Sequence, residues 1–343
     1  MIKVYPFGKY CHRQPLAYQP IAMLCAQEIT VTEHPEDASI LLLAHSKDLI
    51  THAEFLTDHL REFSDKRLVL LSEEPFWDTI WGADPFTREQ VFSSDLGDIP
   101  FTFLNHHTSD IFTFDQIPYY LLTHHKFATR YGLRFGKNAQ RSKADWQAHF
   151  RQVPIQAAFI AEKRLNEKFA VRFPAQDTYG LCRFRSQITQ AYQTGTVYRG
   201  GLGWRKGALR QELPDWHLDK LLTLDRRCRF ISALENTHQP QYLSEKLFDA
   251  FAMGAVPLFY ASPAHRLNQL LPKKAWINLY GLTPSEAVQT IDRFDMNNDF
   301  LAAYVEAQQR LAQIFATPTA TMRERDRLRR ALGAALAEVR PQD

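Results

Sequence analysis

The sequence contains 343 residues, with 41 Lys and Arg against 38 Asp and Glu, and a formal net charge of +3. This charge is too small to indicate a nucleic-acid-binding protein, although a modest basic bias suits an anionic substrate. Hydrophobic residues make up 45% of the chain and charged residues 23%, which is typical of a globular protein, and the length predicts two domains of about 150 residues each.

The cysteines and the apolar segments predict the compartment. Four cysteines, at positions 11, 25, 182 and 228, form no CxxC pair and have no histidine at zinc spacing, so neither a disulfide scaffold nor a structural zinc site is expected. Residues 1–5 predict a strand rather than a signal peptide, and no stretch reaches the about 18 apolar residues of a membrane span. We expect a cytoplasmic protein with reduced thiols.

Four short apolar segments predict strands in the first part of the chain, at residues 2–7, 29–31, 40–44 and 68–71, and a helical pattern lies between the last two. Strands that alternate with helices indicate a parallel sheet with helices on its faces. The fourth strand runs into Ser72-Glu73-Glu74-Pro75, which places carboxylates at its C-terminal end. An isolated Glu-Glu-Pro is most often a solvated turn.

An aromatic region follows, in which residues 101–107 and 111–114 predict a hairpin and residues 117–121 read Ile-Pro-Tyr-Tyr-Leu. Two histidine pairs, His106-His107 and His124-His125, suggest a metal site at first sight. Adjacent side chains on an extended strand point to opposite faces, so neither pair chelates easily, and no acidic ligand pattern accompanies them. These side chains either pack or line a binding cleft, and no metal is expected.

The charged segment 141–168 carries apolar residues at intervals and predicts linking helices, so we place a domain boundary at residue 150. The predicted domains are 1–150 and 151–315, the latter beginning with a strand at 169–173, and a basic amphipathic segment at 316–343 follows them. Its helix at 323–339 has apolar residues on one side, at positions 328, 332, 336 and 339. Packing across the first domain is the favoured interpretation, and attachment to a membrane surface is the alternative.

Arg183-Phe184-Arg185 begins a helical segment, which is followed by Val197 and a glycine-containing loop at 200–203. A guanidinium can hold two phosphate oxygens at once, so either arginine is a candidate for an anionic ligand. The glycines alone are a weak signal, because any loop can contain them.

The most informative stretch is residues 228–263. A buried strand at 229–234 ends in Glu235-Asn236, a helix starts at Ser244-Glu245-Lys246 and stops at Gly254, and an apolar strand begins at Val256, so the stretch predicts one βαβ unit. Ligands of open α/β sheets bind at the C-terminal edge of the strands, and helix N-termini favour anions. A diphosphate could therefore pair with Lys246 while Glu245 accepts ribose hydroxyls, although Glu-Lys alone is more often a solvated first turn.

The complete string resembles the signature of the α-1,3-fucosyltransferase family (glycosyltransferase family 10), inverting enzymes that use GDP-fucose. The matching residues are Glu235-Asn236, Tyr242 through Lys246, Gly254, Val256-Pro257 and Ala261-Ser262-Pro263. The family usually has Thr at Ser244 and Gly at Ala261. The resemblance covers residues 168–310 well and residues 1–125 loosely.

The resemblance implies a GT-B architecture of two Rossmann-like α/β domains facing across a cleft, which the two βαβ series also favour. It implies that Glu73 is the general base, with Glu74 as the alternative, and that Arg183, or failing that Arg185, contacts the diphosphate. The remaining implied donor-binding residues are Glu235, Asn236, Tyr242, Ser244, Glu245 and Lys246, and the implied acceptor-binding residues are Glu74, His106, His107 and Tyr119.

The predicted function is transfer of fucose from GDP-fucose to a glycan hydroxyl, with an α-1,3 linkage to N-acetylglucosamine or a related sugar, in protein glycosylation or lipopolysaccharide synthesis. No Asp-x-Asp triplet occurs, so cationic side chains and helix N-termini are expected to replace a metal, and no cofactor is expected. The alternatives are a transferase for another GDP-sugar and a non-catalytic nucleotide-sugar-binding protein. Animal enzymes of the resembled family carry a membrane anchor and none is recognised in this sequence, so a bacterial protein is expected. A cytoplasmic location is expected, with peripheral association at the inner membrane as the alternative.

Overall fold

The structure is a computed structural model that describes residues 1–204 and 212–339. The chain divides into two compact units. Unit 1 comprises residues 1–125 and 319–343, and unit 2 comprises residues 126–318. The last residues of the predicted C-terminal segment, 340–343, lie outside the described residues. Both units are built on mostly parallel sheets, so the predicted α/β class is confirmed.

Unit 1 is built around a six-stranded sheet of order β2-β1-β3-β4-β6-β5, in which only β5 runs antiparallel to its neighbour. Its strands are β1 (Ile2–Pro6), β2 (Ile29–Val31), β3 (Ile40–Leu43), β4 (Arg67–Leu71), β5 (Glu89–Ser94) and β6 (Gly97–Leu104). Its helices are α1 (Gln19–Cys25), α2 (Lys47–Thr51), α3 (Ala53–Glu62), α4 (Tyr119–Leu122) and the terminal α13 (Thr319–Val339).

The central strands of unit 1 form because their side chains are apolar on both faces. All four residues of β3, Ile-Leu-Leu-Leu, are buried, and so are residues 68–71 of β4. A strand buried on both faces needs layers above and below it, and one layer contains Leu49 and Leu56 of α2 and α3, which share a core cluster with Leu41, Leu70 and Phe103. This core fixes the C-terminal end of β4, and Glu73 lies directly beyond that end.

Unit 2 contains a five-stranded parallel sheet of order β10-β7-β11-β13-β14 and a three-stranded antiparallel sheet of order β12-β9-β8. The strands are β7 (Ile155–Ile160), β8 (Arg172–Phe173), β9 (Thr178–Gly180), β10 (Val197–Gly200), β11 (Cys228–Ser232), β12 (Thr237–His238), β13 (Val256–Phe259) and β14 (Ile277–Asn278). The helices are α5 (His125–Asn138), α6 (Lys143–Gln152), α7 (Cys182–Ala191), α8 (Trp216–Leu224), α9 (Glu245–Ala252), α10 (Leu267–Leu270), α11 (Pro284–Asp292) and α12 (Asn298–Phe315).

The βαβ unit predicted for residues 228–263 is present as β11, α9 and β13, with β11 and β13 paired in parallel. Leu247, Phe248 and Phe251 of α9 are buried, so the helix packs firmly onto the sheet. The helix ends at Ala252, and Gly254 follows with a φ of +72°, a left-handed conformation that glycine adopts without strain. The N-terminus of α9 is consequently held close to the C-terminal edge of β11.

The structure divides the chain after residue 125, not at the predicted residue 150. Helices α5 and α6 belong to unit 2 because their aromatic residues pack there. Tyr131 lies 5.3 Å from Phe315 between ring centroids, and Trp146 lies 5.0 Å from Tyr304. In addition, the side chain amide of Asn138 donates to the carbonyl of Phe251 at 3.1 Å.

Two predicted elements differ from the structure. Residues 155–160, assigned to linking helices, form β7, the second strand of the five-stranded sheet, because a short apolar run fits a buried strand as well as a helix. The hairpin partner of β6 is β5, not residues 111–114. The side chain of Asn105 accepts hydrogen bonds from the backbone of His107 and Thr108, so the chain turns directly after β6.

Helix α13 lies in unit 1, and its apolar residues Leu328, Leu332 and Leu336 are fully buried there. Its charged residues also bind within unit 1. Glu324 accepts hydrogen bonds from the backbone of residues 115–117, and the guanidinium of Arg325 donates to the carbonyl of Leu122 at 3.0 Å. The apolar side of this helix is therefore covered by protein.

Among the described residues, none of the helices combines the length and the apolar character that crossing a bilayer requires.

Candidate functional site

The first candidate site lies in unit 2, where Glu235 follows β11 and meets the start of α9. Its side chain is 2% exposed and accepts three short contacts. Oε1 accepts from the backbone nitrogen of Ser244 at 2.8 Å and from its hydroxyl at 2.6 Å, and Oε2 accepts from Nζ of Lys246 at 2.7 Å. We call Glu235, Ser244, Glu245, Lys246 and the nearby Arg185 the lysine–carboxylate cluster.

Ser244 is the N-cap residue of α9, but its hydroxyl does not cap the helix. It donates to Glu235 instead and accepts from Nζ of Lys246 at 2.9 Å. The first backbone N–H groups of α9 are thus not satisfied by the Ser244 side chain, and they carry the positive end of the helix dipole. This helix start is suited to an anion.

Burial lowers the pKa of Lys246, but the neighbouring carboxylates of Glu235 and Glu245 outweigh burial, so its pKa is raised overall. Arg185 lies near enough to oppose this rise. An ammonium has three N–H donors, and two of them are directed at Glu235 and Ser244. Lys246 is therefore a fixed, fully charged cation that retains one donor for a ligand.

The two candidate arginines on α7 have different surroundings. Positions 183 and 185 lie about 200° apart around a helix, so their side chains leave it on different sides. Arg183 makes a bidentate pair with Glu167, at 2.8 and 2.9 Å, near the surface. Arg185 is 7% exposed and donates to the carbonyl of Leu234, the residue before Glu235, at 3.4 Å. The structure thus brings Arg185, and not Arg183, to the lysine–carboxylate cluster.

Asn236 and Tyr242 connect this cluster to its surroundings through their backbones. The carbonyl of Asn236 accepts from the backbone nitrogen of Leu181, which lies directly before α7, at 2.9 Å. The carbonyl of Tyr242 lies 3.2 Å from Nε2 of His265. These contacts fix the loop between β11 and α9, so the residues of the predicted donor-binding set, except Arg183, are held in one region of unit 2.

The second candidate site lies in unit 1 around Glu73, directly after β4. Oε2 of Glu73 accepts hydrogen bonds from the hydroxyls of Tyr18 at 3.0 Å and Tyr119 at 3.1 Å. Oε1 lies 3.6 Å from Nε of Arg13. We call Glu73, Tyr18, Tyr119, Arg13 and Glu74 the tyrosine–carboxylate cluster.

Glu73 has a raised pKa, because burial disfavours the charged carboxylate more than Arg13 and the two tyrosine hydroxyls favour it. Glu74 adds to the rise by like-charge repulsion. Burial likewise raises the pKa of Tyr18 and that of Tyr119 well above the usual range, and Glu73 raises both further. Both hydroxyls therefore stay protonated and act as donors to a carboxylate that binds a proton more readily than an ordinary glutamate.

Neighbouring side chains of an extended strand face opposite ways, but Glu73 and Glu74 do not. Nη2 of Arg13 contacts Oε1 of Glu74 at 2.8 Å while Nε of the same arginine faces Glu73. The backbone bends after Ser72, whose hydroxyl accepts from the backbone nitrogen of Glu74 at 3.2 Å, so the strand alternation no longer applies. One guanidinium therefore spans both carboxylates.

His106 and His107 pack in unit 1. The ring of His106 stacks on Phe112 at 4.4 Å, and its Nε2 lies 3.1 Å from the backbone carbonyl of Glu73. Since a carbonyl only accepts, this contact requires the proton on Nε2. Burial lowers the pKa of His106 to about 3 and that of His107 to about 4, so both rings are neutral near neutral pH. His106 thereby holds the backbone of Glu73.

Several partners in these clusters were not predicted from the sequence. Arg13 and Tyr18 come from the segment after β1, far from Glu73 in the chain, and no local pattern marks them. In unit 2, Lys220 of α8 pairs with Asp249 of α9 and lies 3.8 Å from Glu245. The only available signal was Asp249, which follows Glu245 by one helical turn.

Across residues 1–204 and 212–339, no group of three or more His, Cys, Asp or Glu side chains is arranged to hold a metal ion.

The chain is similar to known fucosyltransferases in sequence. Residues 205–329 match the family described as "Glycosyltransferase family 10 (fucosyltransferase) C-term". The mouse and human proteins named 4-galactosyl-N-acetylglucosaminide 3-alpha-L-fucosyltransferase 9 are each 28% identical over 78 residues, which are 22% of this chain and 22% of each relative. The chain thus aligns with about a fifth of the length of these curated relatives.

Solved structures of alpha1,3-fucosyltransferases are also similar. One, solved with GDP-fucose, is 14% identical with a TM-score of 0.45, covering 89% of this chain and 80% of its own. Another is 12% identical with a TM-score of 0.46, covering 94% and 90%. TM-scores this low carry no argument about a shared ligand. Residues 205–329 of this chain are thus similar to glycosyltransferase family 10, which confirms the resemblance at the level of the family.

Proposed function

We propose that this protein transfers fucose from GDP-fucose to a hydroxyl of a glycan acceptor, with inversion at the anomeric carbon. The observation that carries the proposal is the lysine–carboxylate cluster at the start of α9, whose residues Glu235 and Ser244 through Lys246 lie inside the segment that matches the family. Glu235 orients Lys246 through a 2.7 Å ion pair at a helix start whose N-cap side chain points elsewhere. Such an arrangement suits a diphosphate, the leaving group of a nucleotide sugar.

In the proposed donor complex, Lys246 and Arg185 pair with the diphosphate oxygens, and Glu245 accepts the ribose hydroxyls. Arg185 takes the role that the resemblance gave to Arg183 first, because Arg183 is engaged by Glu167 in a bidentate pair. Glu235 acts as a positioning residue, since its two oxygens already accept from Ser244 and Lys246. Asn236 and Tyr242 shape the same loop.

Glu73 is the proposed general base. It takes the proton from the acceptor hydroxyl as that oxygen bonds to the anomeric carbon, while the bond from this carbon to the diphosphate breaks. The raised pKa of Glu73 supports this role, because a base is most effective when its pKa approaches the working pH. Tyr119 and Tyr18 orient the carboxylate, His106 fixes its backbone, and Glu74 and His107 are proposed to lie on the acceptor side.

The proposed reaction needs no metal ion, because Lys246, Arg185 and the N-terminus of α9 supply positive charge to the departing GDP. The acceptor is proposed to carry N-acetylglucosamine or a related sugar, linked α-1,3, in a protein-linked glycan or lipopolysaccharide. The names of the mouse and human relatives support this acceptor class. A cytoplasmic location is proposed as well, and fractionation of cells that produce the protein tests it.

A panel of donors tests the proposal. Purified protein is incubated with GDP-fucose, GDP-mannose, UDP-galactose or UDP-N-acetylglucosamine, with and without N-acetyllactosamine, and released nucleotide and fucosylated product are measured. We expect turnover with GDP-fucose above the other donors. Turnover with another GDP-sugar alone would move the donor assignment, and GDP binding without any turnover would favour a nucleotide-sugar-binding protein.

A further inference from the structure

Lys220 of α8 lies between two buried carboxylates of α9. Its Nζ pairs with Oδ2 of Asp249 and lies 3.8 Å from Oε1 of Glu245. Glu245 is 4% exposed and Asp249 is 1% exposed, and the side chain of Lys220 itself is 13% exposed. Two like charges one turn apart on a helix repel each other, and burial strengthens that repulsion. The ammonium of Lys220 offsets it.

Glu245 has a second ammonium at the same distance. Nζ of Lys246 also lies 3.8 Å from Oε1 of Glu245. At 3.8 Å neither ammonium is within hydrogen-bond distance of Oε1, so both attract the carboxylate by charge alone. Lys246 is bound more closely, at 2.7 Å, to Glu235. Lys220 is therefore the cation whose nearest partners are both on α9.

Asp249 does not depend on Lys220 alone. Its Oδ1 accepts from the hydroxyl of Tyr131 at 2.7 Å and lies 2.7 Å from Nε2 of His217. These contacts anchor Asp249 from two other helices, and the anchored Asp249 in turn holds the ammonium of Lys220 in place. The position of the Lys220 charge relative to Glu245 is thus set by the fold.

We propose that Lys220 is a positioning residue for nucleotide binding, whose charge holds the Glu245 side chain in place to accept the ribose hydroxyls of the donor. This inference rests on the proposed function, because it assigns the ribose of GDP to Glu245. It adds a residue from α8, outside the string of residues that carried the family resemblance. The alternative is a purely structural role, in which Lys220 only joins α8 to α9.

Calorimetric titration of GDP and of 2′,3′-dideoxy-GDP separates the two roles. If Lys220 acts through Glu245 on the ribose, Lys220→Met weakens GDP binding about tenfold and changes binding of the dideoxy nucleotide less than about twofold. Lys220→Arg, which keeps the charge, restores GDP affinity. Lys126→Met is the matched control, because Lys126 pairs with Asp215 at 3.5 Å in the same unit and should leave both affinities unchanged.

A structural role alone predicts a different result. Lys220→Met would then lower the melting temperature while GDP and dideoxy-GDP affinities changed by the same factor, which overturns the proposal. If the Met variant does not fold, Lys220→Gln, which keeps a donor toward Asp249 and removes the charge, is titrated in the same way. Failure of the wild-type protein to bind GDP would contradict the proposed function, whereas wild-type binding with an unaffected Lys220→Met variant contradicts only the role of Lys220.

Discussion

Glu73 in unit 1 and Glu235 in unit 2 are both glutamates that lie beyond the C-terminal end of a strand. Each follows a buried parallel strand, β4 or β11, at the C-terminal edge of its sheet. Their partners differ. Glu73 accepts two neutral tyrosine hydroxyls and has Arg13 at 3.6 Å, whereas Glu235 has an ammonium at 2.7 Å and two donors from Ser244.

The difference shows that the neighbouring side chains, and not the residue type, determine what each carboxylate can do. A carboxylate whose oxygens are occupied by an ammonium and a backbone N–H is a scaffold for that cation. A buried carboxylate with mostly neutral partners has a raised pKa and can take up a proton. We therefore propose proton transfer for the tyrosine–carboxylate cluster and charge neutralisation for the lysine–carboxylate cluster.

The largest effect is expected for Glu73→Gln, which keeps the volume and removes the basic carboxylate. Loss of a general base lowers the rate by a factor of roughly 100 to 10,000. Initial rates of fucose transfer at saturating GDP-fucose measure it. Glu74→Gln is the control, because it changes the second carboxylate beside Arg13 and leaves the proposed base in place. We expect it to retain far more activity than the Glu73 variant. If the Glu74 variant lost activity and the Glu73 variant did not, the base would move by one residue.

The next effect concerns the two arginines of α7. Arg185→Met should weaken GDP binding about 10- to 150-fold, because a charge-assisted contact to phosphate contributes about 1.5 to 3 kcal/mol. Arg183→Met should change the affinity little, since the guanidinium of Arg183 is paired with Glu167 near the surface. Calorimetry of both variants measures the difference. The opposite ranking would return the phosphate contact to Arg183.

A smaller effect is expected on the pH dependence of transfer. The hydroxyl of Tyr119 donates to the Glu73 carboxylate and stabilises its charged form, so it lowers a pKa that burial raises. Tyr119→Phe removes this hydrogen bond and raises the pKa of Glu73 further. The base is then protonated at higher pH, and the acidic limb of the kcat/KM profile moves to higher pH. An acidic limb at the wild-type position in both Tyr119→Phe and Tyr18→Phe would contradict the assignment.

The smallest effect is expected from metal removal. If Lys246 and Arg185 neutralise the leaving diphosphate, exhaustive EDTA treatment leaves most of the transferase activity intact. The treated enzyme is assayed against an untreated sample and against one to which magnesium or manganese is restored. Loss of activity that either metal restores would show that the cationic side chains are insufficient.

The lysine–carboxylate cluster could be predicted because its central residues lie close together in the sequence. Glu235 and Lys246 are 11 residues apart, and a strand, a loop and a helix start bring them into contact. Arg185 could not be distinguished from Arg183, because the exposed side of a helix is decided by what it packs against. The α/β class of both units followed from alternating strand and helix patterns, and the unit boundary did not, since aromatic residues of α5 and α6 pack onto unit 2.

The tyrosine–carboxylate cluster was only half predictable. Glu73 and Tyr119 were recognised through the family resemblance, but Arg13 and Tyr18 reach Glu73 across 60 and 55 positions of sequence. No periodicity reports a contact of that separation, since it depends on how the strands are ordered in the sheet. Lys220 was not predicted for the same reason. Helices α8 and α9 are separated in the sequence by β11, and their contact is seen only in the folded unit.

The division of labour between the clusters is tested most directly by titrating GDP into two folded variants, Glu73→Gln and Lys246→Ala, in one calorimetric series with the wild-type protein. We predict wild-type GDP affinity for Glu73→Gln and a loss of about 10- to 150-fold for Lys246→Ala. Only the second variant removes a positive side chain that is proposed to pair with the diphosphate. Unchanged affinity in the Lys246 variant, or an equal loss in both, would contradict the account.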